Sequence, residues 1–188
     1  MRPDHSGDAE LVEKLQKRDP DCLAGLYDRY GQIVYSLLVR ITHDHGIAED
    51  LTQDLFLRVW TRGRDFDPAK GSLGVWIVSI ARNMGIDYVR SAQRRFSARL
   101  RPIDQTDQLL FSYKPQGPES VIHSARVVKD ALSSLNSNQK RVLELAYFEG
   151  LSQSEIAEQL QEPLGTVKSW MRAGLGRLRT AVKAGTER

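Results

Sequence analysis

The sequence predicts an all-α protein of two small helical domains joined by a flexible linker. Three observations carry that expectation. Apolar residues recur every three or four positions through most of the chain, and no alternating strand pattern persists. After Arg101 the periodicity stops in "PIDQTDQLLFSYKPQGPE", a stretch broken by prolines and a glycine. Further on, "LSQSEIAEQLQEPLGTVKSWMRAGLGRLR" reads as a pair of helices about a Pro-Leu-Gly turn. The domains expected from these breaks are residues 8–95 and 121–184, with 96–120 between them. The chain shows no internal repeat.

Taken in order, a first helix fits Asp8 to Lys17, with Leu11, Val12 and Leu15 at helical spacing. Asp19-Pro20 breaks it, and Asp21 is placed to cap a second helix that runs to about Thr42. Leu23, Leu26, Tyr27, Tyr30, Val34, Leu37, Leu38 and Ile41 form its apolar stripe. "THDHG" is a turn, "IAEDLTQDLFLRVWTR" a third helix, "GRDFDPAKGS" a loop, and "LGVWIVSIARNMGIDYVRSAQRR" a fourth. In the third, Ile47, Leu51, Leu55 and Val59 point one way with Ala48 and Phe56. In the fourth, Trp76, Ile77, Ile80, Ala81, Met84 and Tyr88 supply the buried side.

Helical signals return near Glu119 as "SVIHSARVVKDALSSL" and "SNQKRVLELAYFEG". Ser152 followed by Glu155 is a capping-box pattern for a helix ending near Leu160. Pro163 stops that helix, and Gly165 is expected to permit the bend. The last helix is expected from about Thr166 to Val182, with Val167, Met171, Leu175 and Leu178 on its apolar face.

Net charge is only +3, but its distribution is uneven. Arg90, Arg94, Arg95, Arg99 and Arg101 form one acid-free run, and Lys168, Arg172, Arg177, Arg179 and Lys183 another. Asp44, Glu49, Asp50 and Asp54 reverse the sign. Basic runs suit nucleic acid and the acidic one suits a different partner, although solvated helix faces give the same pattern. The single cysteine, Cys22, precludes an internal disulfide and fits a reducing compartment. "MRPDHSGDAE" has no apolar core and no apolar run approaches a membrane span, so the chain reads as cytoplasmic.

Three constellations bear on function. The N-terminal end of the second helix in a helix-turn-helix enters the major groove, and here it carries Lys168, Ser169, Trp170 and Arg172. Asp50, Gln53, Asp54 and Leu57 share a stripe that is either a docking face with one exposed leucine or an ordinary solvated face. Asn83, Asp87, Arg90 and Arg94 repeat along another helix, where they either hold a strand of nucleic acid or bridge neighbouring helices. No nucleophile with a base and no metal-ligand cluster stands out; His43 and His45 sit in a turn. An enzyme such as a recombinase is therefore disfavoured. A stand-alone helix-turn-helix regulator leaves the N-terminal module without a role.

"AEDLTQDLFLRVW", "WIVSIARNMGIDYVR" and "LSQSEIAEQLQEPLGTVKSWMRAGLGRLR", in that order and spacing, resemble an extracytoplasmic-function (group IV) sigma factor of bacterial RNA polymerase. The resemblance covers roughly Asp8 to Gln93 and Val121 to Ala184. It implies a non-enzymatic promoter-specificity subunit without cofactor, metal or small-molecule substrate. By it, Asp50, Gln53, Asp54 and Leu57 become the stripe facing the clamp helices of core polymerase. Asn83 and the loop from Phe66 to Ser72, Lys70 included, become the site that captures a flipped base of the −10 element. Asp87 lies beside them, with Arg90, Arg94 and Arg95 toward phosphates. Thr166, Lys168, Ser169, Trp170 and Arg172 become the −35 contacts, the outer helices of the second module meet the polymerase flap, and the linker threads toward the active-site cleft. "PLGTVK" followed by "MR" and "GL" is similar to a subgroup held inactive by membrane-anchored anti-sigma factors. Trp170 departs from the family, which more often has an arginine there, so its role stays open between a sugar or thymine methyl and a neighbouring helix.

Overall fold

The computed structural model of the chain describes residues 6–97 and 131–186, with side chains given for 8–92, 131–181 and 184. Every element among the described residues is helical. They divide between two compact units. The expected linker and the helix expected near Glu119 lie outside the described residues, except for a helical turn at 131–133.

The N-terminal unit is built from α1 (Ser6–Lys17), α2 (Asp21–Thr42), α3 (His45–Thr61) and α4 (Leu73–Ser97), with two short 3-10 turns, Gly63–Asp65 and Pro68–Lys70, before α4. Helix α2 is its axis and packs along both α3 and α4, while α1 crosses the start of α2 and the first 3-10 turn. The apolar stripe read from the sequence is the reason: Cys22, Leu26, Val34, Leu38 and Ile41 of α2 are buried. The first four meet Ala48, Leu55, Phe56 and Val59 of α3 and Leu73, Ile77 and Ala81 of α4. Each leucine-sized side chain so buried contributes roughly 1.5–3 kcal/mol relative to exposure.

The helix ends and the buried face of this unit differ from expectation at Asp21 and Thr52. Asp21 does not cap α2; Asp19 does the work, its Oδ1 accepting from the Asp21 amide at 3.0 Å. The turn after α2 is closed by His43 in the left-handed region (φ 55°) and Asp44, whose side chain accepts from Ile47 N and starts α3. On α3 the buried face includes a polar residue the apolar pattern skipped. Thr52 is 3% exposed, and its hydroxyl donates to the Ala48 carbonyl at 2.6 Å, which satisfies it without leaving the helix. Gly63 fits where no side chain can, since a Cβ there would lie 2.5 Å from Leu15 Cγ and 2.8 Å from the Leu15 carbonyl oxygen.

The C-terminal unit holds the turn at 131–133, α5 (Ser137–Tyr147), α6 (Gln153–Leu160) and α7 (Leu164–Thr186). Reciprocal capping boxes open α5 (Asn136 with Gln139) and α6 (Ser152 with Glu155), so the motif read at Ser152 is present and has a second example upstream. Val142, Leu145, Ile156 and Val167 form the centre of the unit's core. The bend between α6 and α7 differs from expectation. Its left-handed residue is Gln161 (φ 54°), while Gly165 lies inside α7, which begins two residues earlier than expected. The Pro163 carbonyl accepts from the amides of Thr166 and Val167 at 2.9 and 3.2 Å and so opens the helix.

Candidate nucleic-acid and protein-docking interfaces

On α3, burial of Ala48, Thr52, Leu55, Phe56 and Val59 turns the opposite side to solvent. Asp50, Gln53, Asp54 and Leu57 all lie there, and Leu57 is 53% exposed. Among the described residues neither aspartate has an ion-pair partner. The stripe gains an aromatic edge from α2, where Tyr27, also 53% exposed, packs its ring on Phe56 with centroids 5.3 Å apart. Sequence reasoning put Tyr27 in the core; the signal it lacked is that Gly31, one turn on, takes the buried place. An acidic row carrying one large apolar side chain suits a basic protein surface with an apolar socket.

The loop before α4 is fastened from beneath. Phe66 is 6% exposed and packs on Trp76 with ring centroids 5.4 Å apart, and Leu73 is buried beside it. Phe66 thus differs from its expected role as a DNA contact: its ring belongs to the core and anchors the loop. The residue the loop presents is Lys70, its side chain 85% exposed and its ammonium 3.5 Å from Asp67 Oδ2. Asp67 also accepts from the Ala69 amide at 3.0 Å, which shapes the turn.

Along α4, Asn83, Asp87 and Arg90 are exposed, on the side away from the buried Ala81. The Asn83 side-chain carbonyl accepts from Arg82 Nη1 at 3.4 Å. The side chains of Arg94 and Arg95 lie outside those described. Asn83 stands ten residues beyond Leu73, roughly 15 Å along the helix axis. No hydrogen bond between described residues joins it to the loop. Ser72 and the 64%-exposed Val75 occupy the interval, the Ser72 hydroxyl accepting from the Val75 amide at 3.4 Å.

At the start of α7, Lys168, Ser169 and Arg172 are exposed and Thr166 is half-buried. Trp170 is half-buried as well and packs against the core of Val142, Leu145, Ile156 and Val167. Of the alternatives left by the sequence, the structure gives it the neighbouring helices. Leu175 corrects the expected apolar face: it is 54% exposed. At about 100° per residue it stands about 80° from Val167, whereas Met171, Gly174 and Leu178 stay within about 40° of it. Gly174 takes the buried place because a Cβ there would come 2.9 Å from Leu143 Cδ1. Arg177, counted with the basic surface, instead donates from Nη1 to the Ser134 carbonyl at 3.2 Å. That leaves Lys168 and Arg172, at about 100° and 140° from Val167, as the outward cations of the first turns.

Among the described residues no group of three or more His, Cys, Asp or Glu side chains is placed to hold a metal ion, and no helix is long and apolar enough to cross a membrane. Family models described as Sigma-70 region 2 and Sigma-70, region 4 match residues 26–95 and 131–180. The ECF RNA polymerase sigma factor SigK of Mycobacterium sp. (strain KMS) is 31% identical over 180 residues, covering 92% of this chain and 89% of its own. SigK of Mycobacterium tuberculosis is 31% identical over 176 residues, covering 92% and 91%. Among solved structures, Rhodobacter sphaeroides SigE in complex with the anti-sigma ChrR covers 94% of this chain and 98% of that one, at 26% identity and a TM-score of 0.48.

Proposed function

Because this chain belongs to the extracytoplasmic-function sigma factors of bacterial RNA polymerase, we propose a division of promoter selection between its two units. A sigma factor directs core polymerase to specific promoters and starts transcription there; phosphodiester chemistry stays with the polymerase. The outward stripe Asp50, Gln53, Asp54 and Leu57 docks the clamp helices of core polymerase, with Tyr27 at its edge. Asn83, Asp87, Arg90 and Lys70 engage the −10 element, joined by Arg94 and Arg95 further along α4. Lys168, Ser169, Thr166 and Arg172 engage the −35 element, and Trp170 holds their helix in place rather than reading a base. A stand-alone regulator would need only the second unit and leaves residues 26–95 idle.

The observation that carries this reading is how exposed chemistry divides on one small unit: Asp50, Asp54 and Leu57 on α3, Asn83, Asp87 and Arg90 on α4. A protein docking face and a nucleic-acid face need opposite charge, and separate helices supply it. Opposite an anionic strand Asp87 is useful only if it accepts from a base, which points to base contact in that row as well as phosphate contact.

The protein works in the cytoplasm, where polymerase is. We extend the proposal to an anti-sigma factor, membrane-anchored in the cell, that holds the chain inactive. Exposed apolar side chains such as Tyr27 and Leu57 offer such an inhibitor the same foothold that polymerase uses.

The deciding experiment is promoter-dependent initiation with bacterial core polymerase and a promoter library. Initiation above core alone is the expected result, and its absence overturns the reading. Asp54→Ala with Gln53→Ala should weaken core binding; unchanged capture of core would return the α3 stripe to ordinary solvated surface.

A further inference from the structure

A guanidinium decides which way the Asn83 amide faces. On α4, Arg82 Nη1 donates to Asn83 Oδ1 at 3.4 Å. Arginine carries N–H donors and no acceptor, so an amide beside it turns its carbonyl inward and its NH2 away. The opposite orientation would set donor against donor. Neighbours in sequence do not face each other on a helix, so the contact exists only because the arginine side chain is long enough to bend across the surface. Asn83 itself is exposed, and among the described residues its NH2 has no acceptor.

We propose that Arg82 is a positioning residue that fixes Asn83 as a hydrogen-bond donor, and that Asn83 therefore selects an unstacked base by an acceptor edge, a ring nitrogen or a carbonyl oxygen. This rests on the reading of Asn83 as a −10 contact. A free asparagine exchanges its donor and acceptor by rotating a soft terminal torsion, so it satisfies either kind of base edge and separates bases poorly. With its carbonyl turned toward Arg82, the amide presents its NH2 on the other side. A base that turns a donor toward it then sets donor against donor once the base covers the amide, which is how a polar site rejects the wrong ligand. Selectivity at this position comes from a residue that need not touch the base.

The test uses the full chain assembled with core polymerase on a promoter library randomised across the −10 element, with initiation read for each base at each position. Asn83→Ala is expected to flatten the preference at one position. Arg82→Ala is expected to flatten that same position by about tenfold, the scale of one well-made base contact, and to leave the others sharp. Arg82→Lys, which keeps a donor toward Oδ1, should restore the preference. Asn83→Asp, which removes the donor and keeps the pairing with Arg82, should shift it toward bases presenting an amino edge. Affinity for core polymerase checks that each variant is folded. If Asn83→Ala flattens the position and Arg82→Ala does not, the positioning role is overturned while the −10 assignment stands. If Asn83→Ala leaves every position sharp, the −10 assignment fails and this inference with it. If Arg82→Ala weakens all positions alike, Arg82 is a phosphate contact and the inference is also overturned.

Discussion

The hydroxyl of Tyr30 donates to Asp8 Oδ1 at 2.7 Å, so a tyrosine in the middle of α2 holds the beginning of α1. Arg29 reaches the same oxygen at 3.0 Å, and a Cβ on Gly74 of α4 would come 3.0 Å from the Tyr30 ring. Three helices therefore meet at one phenol. Tyr30→Phe should lower the stability of the N-terminal unit by about 1 kcal/mol in urea unfolding, the usual net worth of one such bond.

The same phenol sets a pH dependence. Burial, then the bond to Asp8, raise the Tyr30 hydroxyl above its ordinary value. An acid whose folded pKa is raised favours folding while protonated. Its contribution is complete below the unfolded value near 10 and falls as pH climbs above it. Unfolding midpoints of the wild type should drop more steeply above about pH 10 than those of Tyr30→Phe, and parallel curves would contradict this.

Gly63→Ala should cost about 1–3 kcal/mol, as overpacking does, because one of the atoms the new methyl would strike is the Leu15 backbone carbonyl, which cannot rotate away. The loss should appear in thermal unfolding of the N-terminal unit. Leu15→Ala introduced with it should recover part of the loss at that contact, and strict additivity would place the strain elsewhere.

Ser152→Ala removes half of a capping box whose two bonds, Glu155 N to Ser152 Oγ and Ser152 N to Glu155 Oε2, both lie at the start of α6. The expected loss is about 1 kcal/mol. It should weaken −35 binding in a gel-shift assay while capture of core polymerase through the proposed α3 stripe is retained.

Trp170 and Lys168 should separate cleanly although they are two residues apart. Trp170→Ala should destabilise the C-terminal unit by about 2 kcal/mol, less than a fully buried tryptophan would, and Trp170→Phe should keep the −35 sequence preference. Lys168→Ala should leave stability unchanged and, if it meets a phosphate, lower the salt slope of DNA binding by about one. A change of base preference in Trp170→Phe would contradict the core placement.

The helix order and the outward position of the α3 stripe were legible in the sequence, because amphipathic spacing is set by the helix itself. Asp50, Gln53, Asp54 and Leu57 follow directly from where Leu55 and Val59 must go. What was not legible depends on contacts between elements. Phe66 sits in a loop of charged and small residues, and only its meeting with Trp76 makes it core. Leu175 fits the apolar face by spacing alone, yet Gly174 is buried there because Leu143 crosses close by. Arg177 looked like one more surface cation until the Ser134 carbonyl stood within reach. Gln161 rather than Gly165 takes the left-handed bend, since the start of α7 at Leu164 leaves Gly165 already inside the helix.

The bond from Arg177 to the Ser134 carbonyl bears on how such a reader changes its target. Val167 and Gly174 press one side of α7 inward, and Arg177 ties the helix three residues beyond Gly174. Rotation of α7 by even a fraction of a turn would break these contacts together, so the compass bearing of Lys168 and Arg172 is set from behind. If Lys168 and Arg172 meet the −35 element as proposed, substitutions at Leu143, Gly174 or Arg177 swing that edge toward neighbouring bases without altering either cation. On that proposal promoter preference drifts through packing residues, hidden from any comparison confined to the contact positions.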